Sequence, residues 1–186
     1  MPRNFGESPD SDVAQVLFTA EQLSAKCADL GKILSQDYAG QVPLLVGVLN
    51  GAMVFMSDLL REVTIPVEVD TLSVASYGQG ATSGELRFRK DVDSDVSGRH
   101  VIFIEDIVDT GKTLAKVLEV FRSRGAASVQ ICALLDKKAR REVEGLELKY
   151  VGFLCPDEFV VGYGIDYAER YRNLRYVAAL KRSVYE

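Results

Sequence analysis

The densest chemistry in this 186-residue sequence lies in one stretch, Val101-Ile-Phe-Ile-Glu-Asp-Ile-Val-Asp-Thr-Gly-Lys-Thr113. An apolar run ends in two adjacent carboxylates, Glu105 and Asp106. Asp109-Thr110-Gly111-Lys112-Thr113 then leads into a helical pattern. Gly111 lets the backbone approach a ligand closely. Loop amides, two threonine hydroxyls and the positive end of a helix suit a phosphate monoester. A neighbouring acid pair suits ribose hydroxyls or Mg²⁺. Phosphate at one end and a diol at the other outline a sugar phosphate.

Two other phosphate motifs do not fit. A Walker A loop needs Gly five residues before Gly111, where Asp106 stands, and a carboxylate there repels a triphosphate. In G-x-G-x-x-G, Gly78-Gln-Gly80 supplies the first half, but Ser83 takes the third position, Gly84 comes one residue late, and no helix opens there. The single histidine, His100, follows Gly98-Arg99 at the mouth of an apolar run and reads as a strand-edge residue. A Ser-His or Cys-His triad, or a multi-His metal site, would have to use it.

The elements that must position these residues follow from periodicity. Thr19 opens a helix with Gln22 three residues on, a capping box, and Leu23, Cys27, Leu30 and Leu34 follow at helical spacing. Val42 to Leu49 reads as a strand covered on both faces. Asn50-Gly51 turns the chain into a helix carrying Met56, Leu59, Leu60 and Val63. Val67 to Tyr77 reads as a strand. The loop from Gly78 to Gly84 should move easily, and Leu86 and Phe88, alternating with Arg87 and Arg89, read as the return strand of a hairpin. Asp91, Asp93 and Asp95 read as a solvated turn. Val101–Ile104 and Ser128–Leu135 are further buried strands, with a helix through Leu114, Val117, Leu118 and Phe121 between them, ending at Gly125. Strands alternating with helices predict an α/β fold with a largely parallel sheet and helices on both faces. Ligands should lie where the strands ending at Leu49, Ile104 and Leu135 stop. The hairpin around residues 67–90 breaks the alternation and reads as a flap over that edge.

Composition bounds the function. Hydrophobic residues make up 47% and charged residues 26%, enough for a packed core and too apolar for wholesale disorder. Twenty-two basic and 27 acidic side chains give a net charge of −5, a poor match for nucleic acid. The three cysteines are widely spaced with no C-x-x-C pair, which fits a reducing cytosol rather than a disulfide framework or zinc site. Tyr38 to Ser57 is uncharged but broken by Gly, Pro, Asn and Gln, so it reads as buried strand, turn and helix rather than a membrane span. Residues 1–12 are polar and read as a loose arm, with residues 13–186 forming a single domain.

The stretch from Glu105 to Thr113 resembles the phosphoribosyl diphosphate signature of the type I phosphoribosyltransferases. From about Phe18 to Leu180 the chain is similar to the hypoxanthine-guanine branch of that family. Ser76-Tyr77 with the following glycine loop resembles the branch's active-site lid. Leu134-Leu-Asp-Lys137 resembles its purine-contacting segment. Asp157-Glu-Phe-Val-Val-Gly-Tyr-Gly-Ile-Asp-Tyr167, with Arg172, resembles its base and diphosphate site. The resemblance implies a small hood over the sheet, a cytoplasmic purine-salvage enzyme using Mg²⁺, small-molecule substrates and a dimer or tetramer. It implies that Glu105 and Asp106 hold the ribose hydroxyls and Mg²⁺, that Asp166 lies at the base site and helps place a second Mg²⁺, and that Asp109 acts on purine N7. Asp109, Thr110, Gly111, Lys112 and Thr113 would cradle the 5-phosphate. Lys137, Phe159 and Val160 would read the base. Asn50, Gly51, Ser76, Tyr77 and Arg172 would lie on the diphosphate side. Many relatives carry Lys in place of Asn50. Xanthine or another base as substrate, or a ligand-sensing regulator on the same fold, are the alternatives.

Overall fold

The computed structural model describes residues 8–76 and 86–186. Its centre is a six-stranded sheet in the order β4-β3-β2-β5-β6-β7, formed by β2 (Leu44–Val48), β3 (Glu68–Ser76), β4 (Leu86–Lys90), β5 (His100–Val108), β6 (Ser128–Asp136) and β7 (Tyr150–Leu154). All pairings are parallel except β3 with β4, where Val74 faces Phe88 and Ser76 faces Leu86 in antiparallel register. Leu86 and Phe88 are half-buried while Arg87 and Arg89 are exposed, as the alternation predicts. The hairpin tip, including Tyr77 and the glycines to Gly84, lies outside the described residues.

Helices α1 (Ala20–Asp37) and α2 (Met53–Glu62) cover one face of the sheet through Leu23, Leu34, Phe55 and Leu59. Helix α3 (Lys112–Ser123) covers the other through Leu114, Val117, Leu118 and Phe121, with Phe121 edge-on to Phe103 of β5. The Thr19–Gln22 capping box is present in full. Gly125 ends the α3 segment at φ +83°, a left-handed turn that glycine adopts without a Cβ penalty. The three cysteines are buried free thiols. Among the described residues no helix is long and apolar enough to cross a membrane.

A second, three-stranded sheet forms a hood from both ends of the chain. Strand β1 (Val13–Phe18) pairs antiparallel with β9 (Val177–Leu180), which pairs with β8 (Val160–Val161), and α4 (Arg182–Tyr185) follows.

Three expectations need correction. Residues 8–12, expected to be part of a loose arm, are packed: Pro9–Asp12 form a 3₁₀ turn and Asp12 is buried, accepting a hydrogen bond from the Tyr171 hydroxyl. Strand β5 does not stop at Ile104. It runs to Val108, with Glu105 opposite Ala133 of β6, so the acid pair is built into the end of the strand rather than following it. The turn after β4 is not merely solvated, because Asp91 takes both arms of Arg124. Lys137 is only 9% exposed despite its run of basic neighbours.

Candidate active site

At the carboxyl edge of the sheet, β2, β5 and β6 deliver three segments to one place. Beyond β2 the chain turns through a cis peptide at Leu49-Asn50. Asn50 is exposed, and its backbone carbonyl accepts from the Met53 amide at the start of α2. A Cβ on Gly51 would stand 1.8 Å from Asp106 Oδ2, so the backbone there presses on the carboxylate and tolerates only glycine. A Cβ on Gly164, in the loop between β8 and β9, would meet the Gly51 carbonyl at 2.2 Å. Two glycines thus let three segments converge on Asp106.

Burial dominates the electrostatics of the acid pair. It lifts the Glu105 carboxyl well above the usual carboxylate range, and the charge of Asp106 adds to the rise. Burial likewise pushes Asp106 up to about 6, against the pull of the Ile107 amide and of its own amide. Arg172 lowers it slightly from across the cleft and Asp166 raises it. Among the described residues neither Glu105 nor Asp106 forms an ion pair. Asp166 and Arg172 pair with each other at 2.8 Å, and Arg172 also donates to the Gly164 carbonyl at 2.8 Å and meets Glu169 at 3.0 Å.

Beyond β5, Asp109 is exposed and Thr110 half-buried, and Gly111 stands at φ +80° as the N-cap of α3 with no side-chain cap. Helix α1 caps its Gln22 amide with the Thr19 hydroxyl, whereas α3 has no N-cap side chain and only a long contact, 3.4 Å, from its Lys112 amide to the Thr110 hydroxyl. Lys112 points away and pairs with Glu142. A cavity of about 180 Å³ opens here, lined by Glu105, Ile107, Asp109, Thr110, Gly111 and Thr113. A larger hollow of about 300 Å³ lies between α3 and residues 143–147. Size does not choose between them, because displaced carboxyl groups and an uncapped helix meet only at the smaller one.

From β6 the chain brings Lys137, whose amide donates to the Val108 carbonyl at 3.0 Å. Its ammonium donates to the Glu158 carbonyl at 2.8 Å and stands 3.5 Å from Asp157. Two of its three donors are thereby aimed along the segment that carries Phe159 and Val160. Val160 is buried in the core, and the Phe159 ring is 41% exposed. That ring stacks on Tyr185 of α4 at 4.8 Å and meets Tyr167 edge-on at 5.2 Å.

The structure therefore brings together Asn50, Gly51, Glu105, Asp106, Asp109 to Thr113, Lys137, Phe159, Val160, Asp166 and Arg172. Ser76 ends β3, and Tyr77 lies outside the described residues. Sequence reasoning missed Arg141. Its guanidinium donates to the carbonyls of Asp109 at 3.1 Å and Val108 at 3.5 Å and pairs with Asp136 at 2.6 Å, bracing the Asp109–Gly111 loop from beneath. It hides in the basic run 137–141, where only its pairing with Asp136 could have singled it out.

Residues 16–168 match the family model for a phosphoribosyl transferase domain. The chain is 47% identical over 177 residues to the hypoxanthine-guanine phosphoribosyltransferase of Streptococcus thermophilus, covering 95% of this chain and 98% of that protein. The chain belongs to the hypoxanthine-guanine phosphoribosyltransferase family. It is also 49% identical over 186 residues to the bifunctional protein TilS/HprT of Listeria monocytogenes, covering 98% of this chain but spanning only 28% of that longer protein. Among solved structures it superposes on a hypoxanthine phosphoribosyltransferase from Staphylococcus aureus with a TM-score of 0.92 at 42% identity, over 98% of this chain and all of the other. These matches agree with the type I phosphoribosyltransferase fold: a mostly parallel sheet flanked by helices, under a small hood.

Proposed function

We propose that the chain transfers the 5-phosphoribosyl group from phosphoribosyl diphosphate to hypoxanthine or guanine, giving IMP or GMP and diphosphate, as a cytoplasmic enzyme of purine salvage. The observation that carries this reading is the Glu105–Asp106 pair, raised by burial, unpaired among the described residues, and next to an uncapped helix start. Such a pair needs a partner from outside the chain, and the ribose diol with a divalent cation supplies one.

The donor set fits Mg²⁺. Glu105, Asp106 and Asp166 offer hard carboxylate oxygens, the ligand type that Mg²⁺ takes while keeping waters and accepting further oxygens from a phosphorylated substrate. When bound, Mg²⁺ would neutralise charge growing on the leaving diphosphate. Arg172 would add a fixed positive charge there, and the amides of the Asn50-Gly51 turn would face the same group. The amides and hydroxyls of Thr110 to Thr113 would hold the 5-phosphate.

The base would lie on the exposed ring of Phe159. Lys137, which can only donate, would hydrogen-bond O6, and the backbone at Val160 would read C2. As N9 bonds to C1 of the ribose, the C1–O bond breaks and its electron pair leaves with diphosphate. The proton on N7 passes to Asp109, a positioned transfer contributing on the order of 10² to 10⁴-fold. No nucleophile from the protein is required. The family reading also carries a homo-oligomer, dimer or tetramer.

A spectrophotometric assay with phosphoribosyl diphosphate and Mg²⁺ tests this against hypoxanthine, guanine, xanthine, adenine and uracil. Turnover of hypoxanthine or guanine above the others supports the reading. Turnover confined to xanthine, adenine or uracil, or none at all, overturns it.

A further inference from the structure

The loop between β8 and β9 carries Asp166 and Arg172, and its backbone is bent where side chains resist bending. Tyr163, Ala168, Glu169 and Tyr171 have φ values of 52°, 54°, 63° and 72°. Residues with a Cβ disfavour this left-handed region and stay there only when their surroundings over-determine it. The two tyrosines show how this is done. Both are buried, at 6% and 4% exposure, and each donates its hydroxyl to a carboxylate from a distant part of the chain. Tyr163 reaches Asp58 of α2 at 2.5 Å, and Tyr171 reaches Asp12 at 2.7 Å.

Asp12 is itself anchored. It is 7% exposed, and its carbonyl accepts from the Lys181 amide at 2.9 Å. The Lys181 ammonium donates to the Ser11 carbonyl at 2.6 Å, and the Tyr176 hydroxyl donates to Asp10. Residues 8–12 thus form a strap across the hood, and its one buried carboxylate meets the residue immediately before Arg172.

We propose that Asp12 and Tyr171 are positioning residues for the diphosphate side of the site. Their bond holds the left-handed turn that aims Arg172 at Asp166 and the Gly164 carbonyl. Neither residue touches substrate. They act by pre-ordering a loop whose ordering cost would otherwise fall on binding. The proposal rests on the function inferred above, and it assigns the start of the described chain a role at a loop 159 residues further along the sequence.

Tyr171→Phe is the sharp test, because the ring keeps its packing against Val161, Leu174 and Leu180 and loses only the hydroxyl. Steady-state kinetics should show the KM for phosphoribosyl diphosphate rising about tenfold, the fold-change of one buried hydrogen bond to a charged acceptor, with the KM for hypoxanthine within about twofold of wild type. Asp12→Ala should do the same. Asp12→Asn, whose amide oxygen still accepts the hydroxyl, should recover most of the loss. Two unchanged KM values, or two that rise together, overturn the proposal. If the wild type turns over no purine, the functional reading fails separately. Calorimetric titration with Mg²⁺ diphosphate then tests the anchor, and equal affinities for wild type and Tyr171→Phe overturn it.

Discussion

Asp70 and Asp91, at the root of the β3–β4 hairpin, and Glu105 and Asp106, on β5, are two carboxylate groupings that the fold treats in opposite ways. The Asp70 side chain is only 8% exposed, and burial alone would raise its pKa. The Thr71 amide, the Lys90 ammonium and the amides of Ser94 and Asp93 outweigh that and hold it at about 2. All its oxygens are used from within the chain, at distances between 2.7 and 3.1 Å. Asp91 is likewise held below the usual range, by Arg124 first. Glu105 is raised by burial with the charge of Asp106 adding to the rise, and Asp106, although the Ile107 amide and its own amide pull it down, is still left raised and without an ion pair among the described residues. A fold that can satisfy a carboxylate internally, and does so some strands away, has left this pair for an external partner.

The comparison has consequences of graded size. The largest concerns Asp109, the carboxylate between the raised pair and the uncapped helix. Asp109→Asn should lower kcat by about 10² or more with little change in thermal stability, because an amide cannot take the N7 proton. Near-wild-type kcat would remove Asp109 from the chemistry.

Asp70→Asn should do the reverse. Asp70 has a depressed pKa, so its contribution is present above its unfolded value of 3.8 and lost as pH falls through about 2. Its loss should cost about 2 kcal/mol of unfolding free energy at pH 7, read by denaturant titration, with both KM values unchanged. A kinetic defect without a stability loss would break the distinction between the two groupings.

Lys137→Ala should have the smallest effect, raising the KM for hypoxanthine about tenfold while the KM for phosphoribosyl diphosphate moves much less. Equal rises would place Lys137 outside the base site.

The sequence made much of this legible for identifiable reasons. The alternation of strands and helices follows from apolar periodicity, and the Glu105–Thr113 segment is local, so its spacing is its geometry. What stayed hidden was settled by contacts distant in sequence. Nothing local says that β5 continues past Ile104, because its outer residues are charged and only pairing with β6 keeps them in register. The Asp91, Asp93 and Asp95 cluster shows as much acid as the Glu105–Asp106 pair, and it is chiefly Arg124, 33 residues from Asp91, that sets it apart. Arg141 and Asp12 have no motif at all. Their roles come from Asp109 and Tyr171, which the fold brings to them.

The measurement that tests the central contrast most directly is the pH dependence of unfolding for wild type and Asp106→Asn, without substrate and with metal chelated. Asp106 has a raised pKa, so its stabilising contribution is present below 3.8 and lost as pH rises through about 6. The two proteins should be equally stable near pH 3.8 or below. At pH 8 the Asn variant should be more stable by about 3 kcal/mol and should no longer bind phosphoribosyl diphosphate with Mg²⁺. A variant less stable than wild type at pH 8 would mean that Asp106 is satisfied within the chain like Asp70, and would contradict the account.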